Sequence, residues 1–311
     1  MTADAARPLL VLVGPTAVGK TALSLALAAR FNGEIVSSDS RLFYRGLDIG
    51  TAKPTAAERT VAPHHLIDIA GPDETVSLGQ YRRLAGAAID DVLARGRLPI
   101  LVGGTGQYVM AVVEGWGVPE VAPRPALRAA LEGLGEAEAA RWLAALDPTA
   151  AGRIDPRNVR RVVRALEVTL VSGRPISELQ RKTPPPYALR LVGLRRDRAA
   201  LYARIDARVD EMMAAGLLEE VRRLRDAGYA DAPPLSGLGY RQLLAHLRGE
   251  TTLDEAITRI KFETHRFARQ QATWFRADDP RIAWFEAEDS EGVVAYVAGW
   301  LEAQGSGERG Q

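Results

Sequence analysis

Eight consecutive residues restrict this chain more than any others. Gly14-Pro15-Thr16-Ala17-Val18-Gly19-Lys20-Thr21 satisfies the phosphate-loop pattern G-x-x-x-x-G-K-[ST] at every fixed position. It follows a fully apolar run of strand length, Leu9 to Val13, and precedes Ala22 to Phe31, which is rich in alanine and leucine and helical by propensity. Strand, glycine loop and helix in that order open an α/β unit. In such a loop consecutive backbone N–H groups turn inward and the helix N-terminus adds partial positive charge, while Lys20 neutralises phosphate oxygens and the Thr21 hydroxyl is placed to hold Mg²⁺. The loop predicts a bound di- or triphosphate, without deciding between them, and sets the chain among nucleotide- and ATP-binding folds.

The pattern continues with short strands at Glu34 to Ser37 and Leu98 to Val102, separated by a long helix from Leu78 to Arg95 that Gly96 closes. Three strands alternating with helices imply a P-loop NTPase-like parallel sheet with helices on both faces. Beyond Val113 the texture turns to alanine, arginine and proline. Helices are predicted at Pro125 to Leu134, Glu136 to Leu146 and Asn158 to Ser172, with no strand until Leu189 to Leu194. This stretch reads as an inserted all-helical domain, and Pro184-Pro185-Pro186 marks its exit because consecutive prolines cannot continue a helix. The expected division is therefore 1–115 for the first part of the core, 116–187 for the insertion and 188–311 for the rest. In that last part Asp197 to Ala227, Tyr240 to Arg248 and Leu253 to Phe275 read as helices, Ile282 to Phe285 as an edge strand and Gly305 to Gln311 as disordered.

Composition narrows the class. The 311 residues contain no cysteine, which excludes thiolate zinc sites, redox dithiols and thiol nucleophiles and points to the cytoplasm. No apolar run approaches the roughly 18 residues of a membrane span. The net charge of +1 conceals a strongly basic stretch: residues 151 to 200 hold twelve basic and four acidic side chains, a face suited to a polyanion or simply a solvated helix surface. Lysine is scarce, with Lys20, Lys53, Lys182 and Lys261 the only four against 36 arginines.

Open α/β sheets present ligands at the carboxyl ends of their strands. Asp39, in Ser37-Ser38-Asp39-Ser40 after the second strand, is thus a candidate general base or Mg²⁺ partner, or else a turn cap. Gly103-Gly104-Thr105-Gly106 ends the third strand at the same edge. Lys53 lies in a loop, Asp48 to Pro54, expected to close over an anionic substrate. Asp68-Ile69-Ala70-Gly71 has the form of a GTPase switch, but neither asparagine, Asn32 or Asn158, precedes a lysine, so no guanine-reading motif accompanies it. A small-molecule kinase stays open on the loop alone.

The successive segments GPTAVGKT, SSDSRLFYRGLDIGTAKP, PHHLIDI, LVGGTGQYV, RRVVRALEV, RIDARVDEMMAAGLLEEV, GLGYRQ and ARQQATWFR resemble, in order and from about Leu9 to Arg276, the signatures of the bacterial tRNA dimethylallyltransferases. The resemblance implies transfer of a dimethylallyl group from dimethylallyl diphosphate to the exocyclic N6 amine of adenosine 37, beside the anticodon, in tRNAs that read codons beginning with U. It implies Asp39 as the base, Thr105 near the target adenosine and Arg208 as a diphosphate clamp that Arg204 shares, with Lys20 and Mg²⁺ stabilising the leaving group. The tRNA contacts it implies are Asp39, Ser40, Arg41 and Leu42; Arg160, Arg161 and Arg164; Gly239, Tyr240 and Arg241; and His265, Arg266 and Arg269. The anticodon stem-loop is the expected partner, with no membrane, no obligate protein partner and a monomer as the default.

Two positions depart from the family pattern, Gln107 where an aliphatic residue is usual and Gln270 where an arginine is common. Gln270 puts one RNA contact in doubt, which Arg269 or Arg266 can replace. A free-nucleotide isopentenyltransferase is the nearest alternative, and the helical insertion and basic stretch argue against it because a mononucleotide needs neither.

Overall fold

The computed structural model describes residues 7–306. In chain order, the first part contains β1 (Pro8–Val13), α1 (Lys20–Arg30), β2 (Gly33–Ser37), α2 (Ala56–Val61), β3 (His64–His65), α3 (Leu78–Ala94), β4 (Leu98–Val102) and α4 (Gly106–Val113). Next come α5 (Pro125–Gly133), α6 (Glu136–Leu146), α7 (Pro148–Ala151), α8 (Val159–Ser172) and α9 (Ile176–Leu179). The chain closes with β5 (Ala188–Arg195), α10 (Arg198–Ala214), α11 (Leu217–Leu224), α12 (Tyr240–Leu247), α13 (Leu253–Gln271), β6 (Ile282–Glu286) and α14 (Ser290–Ser306). Two compact units result, one of residues 1–109 with 186–311 and the other of Met110–Pro185, so the insertion begins and ends earlier than the 116–187 expected from composition.

The first unit is built on a six-stranded, all-parallel sheet of order β3-β2-β4-β1-β5-β6. Its central strands are apolar on both sides because both faces are covered. Leu10 and Leu12, with Ile35, Ile100 and Val192, pack against Leu23 and Leu27 of α1 and Val293 and Val297 of α14. The intervening Leu9, Val11 and Leu101 are equally buried, and α3 meets β2 and β4, burying Tyr81, Ala85, Ile89 and Val92. Each such leucine or valine contributes about 1.5–3 kcal/mol of hydrophobic burial. The amino edge of the sheet carries a buried carboxylate, Glu34. Hydrogen bonds from Arg95, then His65 (2.6 Å), outweigh burial and hold it down to about 2, and Arg97 also pairs with it (2.9 Å).

Strand order places the ends of β2, β4 and β1 side by side, with Ser37 and Leu12 both in register with Val102. The loops that follow, at Asp39, Gly103 to Gly106 and the phosphate loop, therefore share one edge. The helix expected over Asp197 to Ala227 is broken: Gly216 adopts φ 99°, a left-handed conformation that ends α10 and lets α11 turn away. The two-residue β3 and the helices α2, α4, α7, α9 and α14 are not among the elements expected from the sequence. Of the tail predicted to be disordered, Gly305 and Ser306 instead end α14, and residues 307–311 lie outside the described residues.

The second unit has its own core, in which Leu131, Leu143, Val162, Leu166 and Ile176 of four helices pack together. Its buried charge, Glu167 on α8, accepts the Arg124 N–H (2.7 Å) and bonds from Arg128 (2.8 and 3.0 Å) and Arg164 (2.6 Å). Burial opposes ionisation there, and these donors overcome it, holding the carboxyl at about 2.

Candidate active site

A cavity of about 670 Å³ opens at the carboxyl edge of the sheet, within the first unit. Thr16, Asp39, Thr105 and Arg208, each from a different element, all line it, so four separately predicted positions meet in one place. Lys20 begins α1 and its ammonium donates to the carbonyl oxygens of Gly14 (2.9 Å) and Pro15 (2.7 Å), folding back on its own loop. Burial lowers its pKa to about 8, the Asp39 charge opposes that shift, and the Arg208 charge adds to it. Burial likewise pushes the Arg208 guanidinium down, with Asp39 pulling the other way. Two cations and one carboxylate thus sense one another beside the cavity that Asp39 and Arg208 line, an arrangement that concentrates positive charge there. Arg204, one turn before Arg208, instead donates to the Ala17 carbonyl (3.0 Å) and braces the phosphate loop from outside.

Asp39 is both a turn cap and a candidate base. One carboxylate oxygen, Oδ1, accepts the Arg41 N–H at 2.9 Å, which fixes the side chain and leaves Oδ2 without a protein donor. The next residue, Ser40, donates its N–H to Thr105 Oγ1 at 3.4 Å and so ties the loop after β2 to the glycine turn after β4. Gln271, at the end of α13, ties that turn in addition to the phosphate loop: Thr16 N–H donates to its Oε1 (2.8 Å), and its Nε2 donates to the Gly104 carbonyl (2.9 Å).

One wall is held by a carboxylate that sequence reasoning missed. Glu220 of α11 is 3% exposed; its Oε2 accepts the N–H groups of Asp48 (3.0 Å) and Ile49 (2.8 Å), and its Oε1 accepts the N–H of Gly50 (3.1 Å) and the hydroxyl of Tyr240 (2.7 Å). Gly50, Thr51 and Tyr240 face the cavity. Burial, followed by the Glu220 charge, pushes the Tyr240 phenol upward. The only sequence signal for Glu220 was a charge flanked by apolar residues in Gly216-Leu217-Leu218-Glu219-Glu220-Val221, and that spacing does not say which of the two glutamates turns inward.

Several predicted positions are already engaged. Lys53, expected to close over substrate, is 9% exposed and donates to Tyr44 O (2.8 Å), Asp48 (2.6 Å) and Asp68 (2.6 Å); it is a structural clasp. Asp68 of the D-x-x-G run also binds Arg59. Tyr240 is 1% exposed with its hydroxyl committed to Glu220, so it forms wall and not free surface. His265 stacks on Tyr202 with ring centroids 4.1 Å apart and lies 2.8 Å from Asp206; Arg269 donates to Tyr202 OH (2.7 Å) and Lys261 pairs with Asp210 (2.7 Å). These pairs form an antiparallel ladder between α10 and α13 at one-turn intervals. Arg41 donates to Pro234 O, and Arg241 pairs with Glu263.

Other positions keep exposed, unpaired guanidiniums or open backbone. Arg266 and Gln270 line the cavity mouth with Gln107, and Ser40 and Gly239 also line it, whereas Leu42 does not. In the second unit Arg160 and Arg161 are exposed on α8, while Arg164 is bound to Glu167 and to Val121 O (3.0 Å).

Comparison with known proteins agrees with this geometry. The sequence model described as IPP transferase matches residues 42–278. A tRNA dimethylallyltransferase of Roseiflexus sp. (strain RS-1) is 56% identical over 304 residues, covering 95% of this chain and 99% of the relative. A tRNA dimethylallyltransferase of Roseiflexus castenholzii is 59% identical over 275 residues, 86% of this chain and 90% of the relative. Among solved structures, the full-length tRNA isopentenylpyrophosphate transferase of Bacillus halodurans superposes with a TM-score of 0.74 at 40% identity, covering 97% of this chain and 99% of that one. A eukaryotic dimethylallyltransferase acting on tRNA gives 0.84 at 26% identity, covering 95% and 80%.

Proposed function

The chain belongs to the IPP transferase family, and from that premise we propose that it transfers the dimethylallyl group of dimethylallyl diphosphate to N6 of adenosine 37 in tRNA, releasing diphosphate. The observation that carries this reading is that Asp39 and Arg208 line one cavity together with Thr16 of the loop whose Lys20 senses both of their charges: two cations for a departing polyanion and one carboxylate with a free oxygen. As the N6 lone pair attacks the allylic carbon, the carbon–oxygen bond breaks and its electron pair leaves with the diphosphate. Lys20, Arg208 and the loop amides stabilise that charge. Asp39 takes the proton that N6 loses, because an aromatic amine of negligible basicity cannot carry it away. Thr105, tied to the backbone beside Asp39, positions the incoming adenosine.

Among the described residues no cluster of three His, Asp or Glu is arranged to hold a metal. A Mg²⁺ ion would take its ligands chiefly from the diphosphate, with Thr21 as the protein donor, which is the pattern this ion favours. When bound it would neutralise part of the leaving group's charge. The extruded base has to reach a buried site, so the surrounding stem-loop needs its own hold. Exposed Arg160 and Arg161 supply unpaired positive charge for that purpose, and Arg266 does so at the cavity mouth. No helix among the described residues is long and apolar enough to cross a membrane; we assign the protein to the cytoplasm, acting as a monomer on tRNA.

The test is a transfer assay with purified protein, Mg²⁺, labelled dimethylallyl diphosphate and, in parallel, unmodified tRNA or AMP. Label on tRNA and not on AMP, lost in Asp39→Asn, is the expected result. Label on AMP alone moves the activity to free nucleotides, and ATP turnover without transfer would replace this reading with a kinase.

A further inference from the structure

Gln271 is 5% exposed, and both ends of its amide are committed. The oxygen receives the Thr16 N–H and the nitrogen is given to the Gly104 carbonyl, so the side chain stands between the phosphate loop and the glycine turn after β4. The turn comes as near as glycine permits: a Cβ on residue 104 would lie 2.2 Å from Gln271 Nε2. Thr16 belongs to the phosphate loop itself, four residues before Lys20. A loop amide bonded to a protein acceptor is not free to receive a phosphate oxygen.

We propose that Gln271 closes the phosphate loop to a third phosphate and makes it a cradle selective for diphosphates over triphosphates. The inference rests on the prenyl-transfer reading, which calls for a diphosphate, and deepens it by naming the residue that limits how long a polyphosphate the loop accepts. In a loop of this kind the amides at the start of the helix and the lysine hold one phosphate, and the polyphosphate runs on along the loop's inner face. Thr16 N–H is the donor at the amino-terminal end of that face, and the Gln271 oxygen occupies it. A triphosphate must displace the side chain, breaking two hydrogen bonds and leaving the Gly104 carbonyl unpaired in the interior. A diphosphate leaves the bridge intact. The cations agree with the shorter ligand, since Arg208 lines the cavity while Arg204 is turned to the Ala17 carbonyl.

Calorimetric titration of the full chain with Mg²⁺-saturated pyrophosphate and tripolyphosphate tests the proposal in the wild type, Gln271→Ala and Gln271→Asn. The wild type should prefer pyrophosphate by at least about tenfold, or about 1.4 kcal/mol. Gln271→Ala should bring the two affinities to within about threefold, or about 0.7 kcal/mol, and Gln271→Asn, whose shorter side chain withdraws from Thr16, should fall between. Equal affinities in the wild type, or a preference unchanged in both variants, overturns the proposal. Should Gln271→Ala fail to fold, the shift in Gln271→Asn decides. Dimethylallyl transfer to tRNA, measured on the same wild-type sample, separates the two readings: transfer without polyphosphate discrimination sinks only the role of Gln271, and discrimination without transfer sinks only the prenyl-transfer reading.

Discussion

Glu220 gives the sharpest test of how the cavity wall is held. Its buried carboxylate is satisfied by three backbone N–H groups and one phenol. Glu220→Ala leaves four donors without an acceptor. Each such group costs about 1–3 kcal/mol if it stays dry, and water entering the vacated space recovers part of that, as does relief from burying the charge. The net expectation is a loss of about 4 kcal/mol, at the upper end for a single substitution. For a unit of this size that lowers Tm by roughly 8–16 °C. Glu220→Gln keeps the shape and one accepting oxygen and should lose about half as much, while Tyr240→Phe removes one bond and should lose about 1 kcal/mol. Because the phenol binds the same carboxylate, adding Tyr240→Phe to Glu220→Ala should cost less than it does alone. Urea unfolding monitored by tryptophan fluorescence measures all four proteins. If Glu220→Ala falls within about 1 kcal/mol of the wild type with an unchanged denaturant slope, the hydrogen-bonded clasp is not what holds this wall.

Charge governs the remaining outcomes. With Lys20 depressed to about 8 by burial, folded and unfolded chains both hold its proton below that pH; between about 8 and the ordinary 10.5 only the unfolded chain does, so Lys20 makes stability rise with pH across that window. On the proposed role of Lys20, diphosphate binding uses the ammonium and should weaken over the same window with proton uptake, which calorimetry at pH 8.5 in buffers of different ionisation enthalpy would detect; affinity that climbs with pH would refute it. Replacing Arg160 and Arg161 together by glutamate should weaken tRNA binding and flatten its logarithmic salt dependence by about 1 to 2 units. Arg164→Ala should chiefly destabilise the helical unit, because it strips a partner from buried Glu167; filter binding across a salt series and thermal melts separate the two effects.

What was legible in the sequence was whatever depends on local order. The phosphate loop, the apolar strands and the basic face of α8 announce themselves because strand length, helix period and turn residues are near-neighbour properties. Asp39 and Thr105 were legible at one remove, through the rule that parallel strands end at a common edge. Glu220, Gln271 and the Tyr202–His265 stack were not, since each takes its meaning from partners tens to hundreds of residues away. Lys53 shows the opposite error. A lysine in a polar, glycine-bearing loop reads as mobile, yet Asp48, Asp68 and the Tyr44 carbonyl neutralise it completely. Gly216 is visible in the chain, but alanine and leucine on both sides favour an unbroken helix, and the break rests on its left-handed φ.

The helical unit is closed at its own base. Trp116 bridges Lys182 antiparallel, Thr183 N–H donates to Gly115 O (2.9 Å) and Gly117 N–H donates to Arg181 O (2.9 Å), so the strands of chain that enter and leave run side by side about 5 Å apart. An excursion that starts and finishes at one point asks no more of its host than a short hairpin would, however much chain lies beyond. Such a base is a natural point of exchange. A lineage can lengthen, shorten or swap the module there without re-threading the parallel sheet, and an engineer wishing to redirect this catalytic core to another polynucleotide has the same splice point available.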